Sequence, residues 1–251
     1  MMELAHNVPP GWGLCPAGAR LYPVFMALAF VAAGLVFACN RRGAAADAEP
    51  GAVYPIALAA FFGGLLGAKL PVVLLNLQHG WSWEALLAGR TIAGGLVGGT
   101  LGVILVKRAL GIRGRHGNRF AAPVALGMAV GRIGCLLAGC CAGVSTALPW
   151  GVDFGDGVLR HPTQLYEALF CLCAFALLQR ARRTARPGRQ LSGFFGAYFV
   201  FRFFVEFIRP HPVVAGLTAY QWICAAGALL LVVKNHLLSS TPSGGLHHER
   251  T

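Results

Sequence analysis

Seven apolar stretches run along the 251-residue chain, near 21–39, 53–76, 89–107, 120–140, 162–179, 191–209 and 214–233. Each is close to the ~20 residues that a helix needs to cross a hydrocarbon core. No water reaches backbone amides inside a bilayer, so each amide must be bonded within its own element or a closed barrel, and helix is the economical solution for runs of this length. The chain is therefore expected to be an all-α polytopic membrane protein with seven transmembrane helices. Only 12% of its residues are charged, against about 25% in an ordinary soluble domain, and its mean hydropathy is +0.63. The 34 glycines suit membrane helices, whose backbones approach closely where side chains are small. The third and fourth stretches are glycine-rich and are the weakest candidates for lipid-facing spans.

The basic residues sort by loop. Arg41 and Arg42 follow the first stretch; Lys107, Arg108, Arg113, Arg115 and Arg119 follow the third; Arg180, Arg182, Arg183, Arg186 and Arg189 follow the fifth. The alternate loops are poor in them. Loops rich in lysine and arginine stay cytoplasmic, which predicts an N-terminus outside and a C-terminus in the cytoplasm. The net charge of +12 is accounted for by these loops; with no basic groove carrying interleaved aromatics, nucleic acid is not an expected partner. One transmembrane domain is expected over residues 1–240, followed by a flexible cytoplasmic tail at 241–251. Residues 43–50 read as a flexible loop, and His247 and His248 are too few and too exposed to argue a metal site. At the other end, Glu3 stands where a signal peptide would be basic, and Cys15 lacks the apolar run that a lipidation signal places before its cysteine. Neither kind of signal is expected.

A few charges stay inside the spans: Lys69, Arg132, Glu167, Arg202, Glu206 and Arg209. Burying such groups costs a few kcal/mol each unless they pair or reach water, so each marks an ion pair, a polar cavity or a site. Arg202, Glu206 and Arg209, spaced four and three apart, are expected on one side of one helix, as an internal ion pair or as part of a site; Arg209, near the span's end, also has the option of snorkelling. Four basic residues against two acidic leave positive charge to spare. Surplus guanidinium facing a cavity suits an anion, and at membrane depth the abundant anion is a lipid phosphate, which arginine grips with two parallel hydrogen bonds.

The strongest local string is "RHPTQLYEALF", Arg160–Phe170. A polar cluster leads straight into a membrane helix, with Pro162 tolerated at its start because the missing N–H needs no partner there. His161, Gln164, Tyr166 and Glu167 bring hydrogen-bonding and proton-transfer groups. His161 taken alone reads either as interfacial structure or as a proton acceptor, and Trp150 as an interfacial anchor.

Together these strings resemble the bacterial prolipoprotein diacylglyceryl transferases. That family's hallmark is a G-R-x-G-N-F-x-N-G-E stretch followed by R-H-P-S/T-Q-L-Y-E. The second is intact here as "RHPTQLYE", and the first is echoed by "GRIGCLLAGC". "IAGGLVGG" at 92–99 is similar to the family's H-G-G block, and "LSGFFGAYFVFRFFVEFIR" to its GLFLxxYxxFRxxxEFxR segment. Tyr22 and Gln221 fall near the family's tyrosine and glutamine.

The resemblance implies a multi-pass protein of the bacterial inner membrane with its site toward the outer leaflet. It implies transfer of diacylglycerol from phosphatidylglycerol to a prolipoprotein cysteine, with release of glycerol phosphate. Phosphatidylglycerol, or another anionic phospholipid, and a prolipoprotein signal segment are the implied partners; no cofactor and no metal are expected. By carry-over, Arg132, Arg202, Glu206 and His161 are the candidate catalytic residues, with Glu206 as the acid beside Arg202. Tyr22, Gly94, Gly95, Gly134, Cys135, Cys140, Gln164, Tyr166, Glu167 and Arg209 are the candidate substrate-binding residues.

The departures from the family pattern fall on groups that move protons or orient arginines. The family histidine before G-G is Ala93, the asparagine after R-x-G is Cys135, the glutamate closing that stretch is Cys140, and the usual aspartate before the fourth span is Arg119. Alanine can neither accept a proton nor orient a guanidinium, so weak or absent transfer to the standard acceptor is expected. The replacement candidates for the proton acceptor are His161, Tyr22, Glu206 and Cys140, with imidazole the best suited. Cys135, Cys140 and Cys141 read as small packing residues in a glycine-rich helix, as reactive or redox-active thiols, or as a metal site; Cys39, Cys171, Cys173 and Cys224 read as packing. Two function classes follow. One is phospholipid-dependent transfer to a prolipoprotein or another acceptor. The other is a non-enzymatic role or the transport of a small anion or sulfur compound on the same scaffold.

Overall fold

A computed structural model describes residues 18–41, 51–76, 91–112, 114, 116–186, 188–211 and 213–239. The N-terminal segment with Cys15, residues 43–50, Gln78, Arg113, Arg115 and the tail at 241–251 lie outside the described residues.

The described residues form seven α-helices: α1 Gly18–Arg41, α2 Val53–Asn76, α3 Ile92–Ala109, α4 Gly117–Leu137, α5 Thr163–Arg180, α6 Arg189–Val205 and α7 Ala219–Ser239. Short 3-10 turns follow α5 at Ala181–Arg183 and α6 at Glu206–Ile208. Two small antiparallel hairpins complete the fold. The first pairs β1 Val152–Asp153 with β2 Leu159–Arg160, and the second pairs β3 Val213–Val214 with β4 Leu217–Thr218.

Five helices are long and apolar enough to cross a membrane: α1, α2, α3, α4 and α6 with its 3-10 turn. The third and fourth stretches, expected to be the weakest, are among them, because glycine lowers side-chain area without adding a polar group. The helices outside the five are α5, which gives positions to Gln164, Glu167 and Gln179, and α7, whose described apolar portion is Ala219–Val233. The fourth span was expected to reach residue 140, but α4 stops at Leu137. Beyond it Gly139 and Cys141 both take positive φ, 69° and 67°, and the chain reverses. Only Cys135 of the three clustered cysteines is therefore helical.

α1 packs on α4, α2 on α3, and α4 on both α5 and α6, while α6 and α3 each meet α7. The α2–α3 seam explains much of the glycine content. A Cβ on Gly67 would stand 2.7 Å from the Gly98 Cα, and one on Gly63 would stand 3.2 Å from the Gly102 Cα. Backbone therefore lies against backbone, as small residues at four-residue spacing permit. Gly67→Val is expected to destabilise the protein by about 1–3 kcal/mol through overpacking, read as a lower thermal midpoint in detergent; an unchanged midpoint would show that the seam can open.

One end of the bundle is basic. Asn40 at the end of α1 donates to Gln179 Oε1 of α5 at 3.3 Å and accepts from Arg182. Asn118 at the start of α4 donates to the Arg186 carbonyl at 3.0 Å and accepts from the Gln190 N–H of α6 at 3.0 Å. Loops that are far apart in sequence thus meet at one face, as their shared charge predicts. An apolar core of Ala125, Ala129, Cys171, Phe194, Phe199, Cys224 and Leu231 fills the middle. The intramembrane charges gather toward the opposite end.

Candidate active site

The opposite end is built by the close of α4, the start of α5, the close of α6 and the start of α7. The reversal after α4 is pinned there by its own carbonyls. The Cys141 carbonyl accepts from Thr163 Oγ1 at 2.7 Å and from Arg209 Nη2 at 2.6 Å, while the Cys140 carbonyl accepts from Gln164 Nε2 at 2.5 Å. Next, Gly143 N–H donates to the His161 carbonyl at 2.8 Å and Val144 N–H to the Ile208 carbonyl at 2.9 Å. A Cβ on Gly143 would stand 2.7 Å from that Ile208 oxygen, so glycine is required for the chain to pass.

Glu167 is the hub. Its side chain is fully buried, and Oε2 lies 2.6 Å from Arg132 Nη2 on α4. Oε1 is 3.6 Å from Arg202 Nε on α6, and Tyr198, one helical turn before Arg202, donates its hydroxyl to Oε2 at 3.1 Å. One carboxylate on α5 thus holds two buried guanidiniums from two other helices, which low dielectric makes costly to leave unpaired.

Arg202 also meets Glu206 Oε2 at 2.5 Å, a close ion contact, and its guanidinium carbon lies 5.9 Å from the Tyr220 ring centre. The other Glu206 oxygen accepts from Thr218 Oγ1 at 3.1 Å and faces His211 Nδ1 at 2.6 Å. The expectation that Arg202, Glu206 and Arg209 share one helix side is corrected here. α6 ends at Val205, Glu206 opens the 3-10 turn and Arg209 is extended at φ −116°, ψ 142°. The change of helix type turns Arg209 toward Cys141 instead of Glu206.

Among the described residues of this cluster, three guanidiniums (Arg132, Arg202, Arg209) face two carboxylates (Glu167, Glu206). Arg132 Nε, Arg209 Nε and Gln164 Oε1 are buried without a hydrogen-bond partner among the described residues. Spare charge and spare N–H donors together give the site capacity for an anion.

The other predicted residues sort by place. Tyr166 accepts from Trp150 Nε1 at 2.9 Å and lies 3.2 Å from His161 Nδ1, so His161 leans on a phenol and not on a carboxylate. Tyr22 is half-buried on α1, one turn before Phe25, whose Cβ would stand 2.6 Å from a Cβ on Gly134. Gly134 thus serves the α1–α4 seam. Gly94 and Gly95 face α2 across the glycine seam, and Ala93 is buried in the apolar core. Tyr198 and His211 were not singled out from sequence. Tyr198 sits four residues before Arg202 within the recognised motif; His211 had no periodic signal because a non-helical turn brings it to Glu206.

The three thiols also differ in state. Hydrogen bonds from Cys135 and Cys140, with Arg209 and Arg132 nearby, hold the Cys141 thiol well below the ordinary thiol range. Cys140, held by hydrogen-bonding contact with the Cys135 and Cys141 thiols and 3.6 Å from the Cys135 carbonyl, is pushed up. Cys140 and Cys141 stand in the turn after α4 and not in the helix where they were expected. A lowered thiol is more ionised at neutral pH and reacts faster. Brief alkylation at neutral pH, followed by peptide mass mapping, is expected to modify Cys141 before Cys140; the reverse order would refute the assignment.

The family model for prolipoprotein diacylglyceryl transferase matches residues 12–234. The chain belongs to that family. It is 33% identical to the phosphatidylglycerol–prolipoprotein diacylglyceryl transferase of Geobacter sulfurreducens, over 87% of this chain and 88% of the relative. It is 32% identical to the protein of that name in Clostridium tetani, over 80% and 86% of the two chains. The likeness to the Bordetella avium protein of the same name, 30% identical, spans 93% of this chain and 96% of the relative. Matches of this extent place the transferase scaffold over all seven helices, including the four that supply the charged cluster.

Proposed function

We propose that this member of the family transfers the diacylglyceryl group of phosphatidylglycerol to the cysteine thiol of a prolipoprotein. The observation that carries the reading is the cluster of Arg132, Arg202 and Arg209 with Glu167 and Glu206, buried at one end of a membrane bundle with one positive charge in excess. The lipid phosphate is the anion it would take. As the acceptor sulfur attacks the glyceryl carbon, the carbon–oxygen bond to phosphate breaks and negative charge gathers on the departing glycerol phosphate. Fixed guanidinium donors favour that charge more than the ground state does. Gln164, Tyr166 and Tyr22 are proposed as residues that bind the substrates, and Glu206, in ion contact with Arg202, orients that arginine.

Seven spans with the N-terminus outside and the C-terminus in the cytoplasm put the basic end of the bundle in the cytoplasm and the charged cluster toward the outer leaflet of a bacterial inner membrane. The anion-transport reading is disfavoured by the apolar layer of Phe194, Phe199, Ala125 and Ala129 beneath the cluster, which offers no groups for an ion to cross. Reporter fusions at Arg186 and at the C-terminus should read cytoplasm, and one at Asp156 the outside; reversal at Arg186 would move the site to the wrong leaflet. The function itself is tested with purified protein, phosphatidylglycerol and a lipobox peptide. Release of glycerol phosphate, lost in Arg132→Ala and Arg202→Ala, is expected. No release with any thiol acceptor, from folded protein, would overturn the reading.

A further inference from the structure

We infer that His211, held at Nδ1 by Glu206, accepts the proton of the acceptor thiol at its Nε2. The inference rests on the transferase reading above and names the proton acceptor within it. The family histidine is Ala93 in this chain, and Ala93 is buried among apolar side chains, so no proton can be taken there. Three of the four alternatives are less suited. Glu206 is engaged by Arg202, His211 and Thr218. His161 has a neutral tyrosine hydroxyl, not a carboxylate, at Nδ1 to stabilise an imidazolium, and Cys140 donates its own proton to a carbonyl.

His211 has what they lack. A carboxylate oxygen lies 2.6 Å from Nδ1, and the side chain is 21% exposed, against 1% for Glu206. A carboxylate at one ring nitrogen fixes the tautomer with its N–H there, leaves the lone pair on Nε2, and stabilises the imidazolium that forms when Nε2 takes a proton. The imidazole ring also lies 4.6 Å, centre to centre, from Tyr220, whose ring also faces the Arg202 guanidinium. The proton acceptor and the phosphate-holding arginine are thus tied through one carboxylate and one ring. In the step, the sulfur–carbon bond forms, the carbon–oxygen bond breaks with its electron pair on the phosphate oxygen, and the thiol proton moves to Nε2 and from there to water. With this acceptor in place, the weak activity expected from the Ala93, Cys135 and Cys140 substitutions no longer follows.

The test compares two acceptors. With a cysteine lipobox peptide, His211→Ala and His211→Gln are both expected to lose activity roughly a hundredfold, within the range for a lost general base. With the same peptide carrying selenocysteine, whose selenol is already ionised at neutral pH, both variants should fall within a few-fold of wild type. Added imidazole should restore part of the thiol reaction in His211→Ala. Glutamine can still donate to Glu206 but cannot take up a proton, so restored activity in His211→Gln would make the residue structural and overturn the inference. Equal losses with thiol and selenol would do the same. Release of glycerol phosphate by wild type, measured in parallel, separates failure of this inference from failure of the transferase reading.

Discussion

Glu167→Ala is expected to cost about 3–5 kcal/mol of stability, the range for removing one partner of a buried ion pair. The reason is its double duty. Its carboxylate meets Arg132 and Arg202 from two different helices and receives the Tyr198 hydroxyl, all with the side chain fully buried. Removing it takes the carboxylate from Arg132 and leaves Arg202 with Glu206 alone, the two guanidiniums still buried. Glu167→Gln keeps the volume and one acceptor oxygen, so it should fold better than the alanine variant, yet Arg132 loses its paired charge and Arg202 loses one of two. Thermal unfolding in detergent reads the first effect and glycerol phosphate release the second. A Glu167→Ala protein with unchanged midpoint and rate would mean that the two arginines reach water and that Glu167 is not their hub.

Arg132→Lys is expected to keep the fold and lose about 10²–10³ in turnover, as for loss of one fixed donor to a developing anion. The lysine ammonium can still meet Glu167, so the midpoint should stay near wild type. What disappears is the planar fork that engages a carboxylate and a phosphate at once, including the Nε–H that has no protein acceptor among the described residues. Arg202→Lys should behave similarly, with an added loss because Arg202 spans Glu167 and Glu206. Turnover measured at saturating phosphatidylglycerol separates this from weaker lipid binding. Equal turnover in Arg132→Lys would reduce the residue to a source of general positive field.

The charges inside the apolar runs were legible as a site because water-free burial leaves an ionised group few options, and the sequence alone marked Arg132, Glu167, Arg202 and Glu206. Their pairing was not legible. Glu206 lies four residues from Arg202, a helical neighbour, and that contact was expected. Glu167 is 35 residues from each of Arg132 and Arg202, and no periodicity links positions so far apart. The end of α4 is not legible for a related reason: Ala138–Cys141 is as apolar as the helix before it, and the carbonyl contacts to Thr163, Gln164 and Arg209 favour the turn.

By itself the sequence determined the all-α, multi-pass character, the basic end of the bundle and the family motif, because hydrophobic length, loop charge and motif spacing are local properties written in consecutive residues. Tertiary structure alone decided that Glu167 joins Arg132 to Arg202, that Arg209 serves the Cys141 turn, that Gly94, Gly95 and Gly134 serve helix seams, and that His211 stands on Glu206. Each of these depends on which helix faces which across the bundle, and on where a helix gives way to a turn. Both are set by close packing between segments distant in the chain, at a resolution of a few ångströms that composition and spacing do not carry.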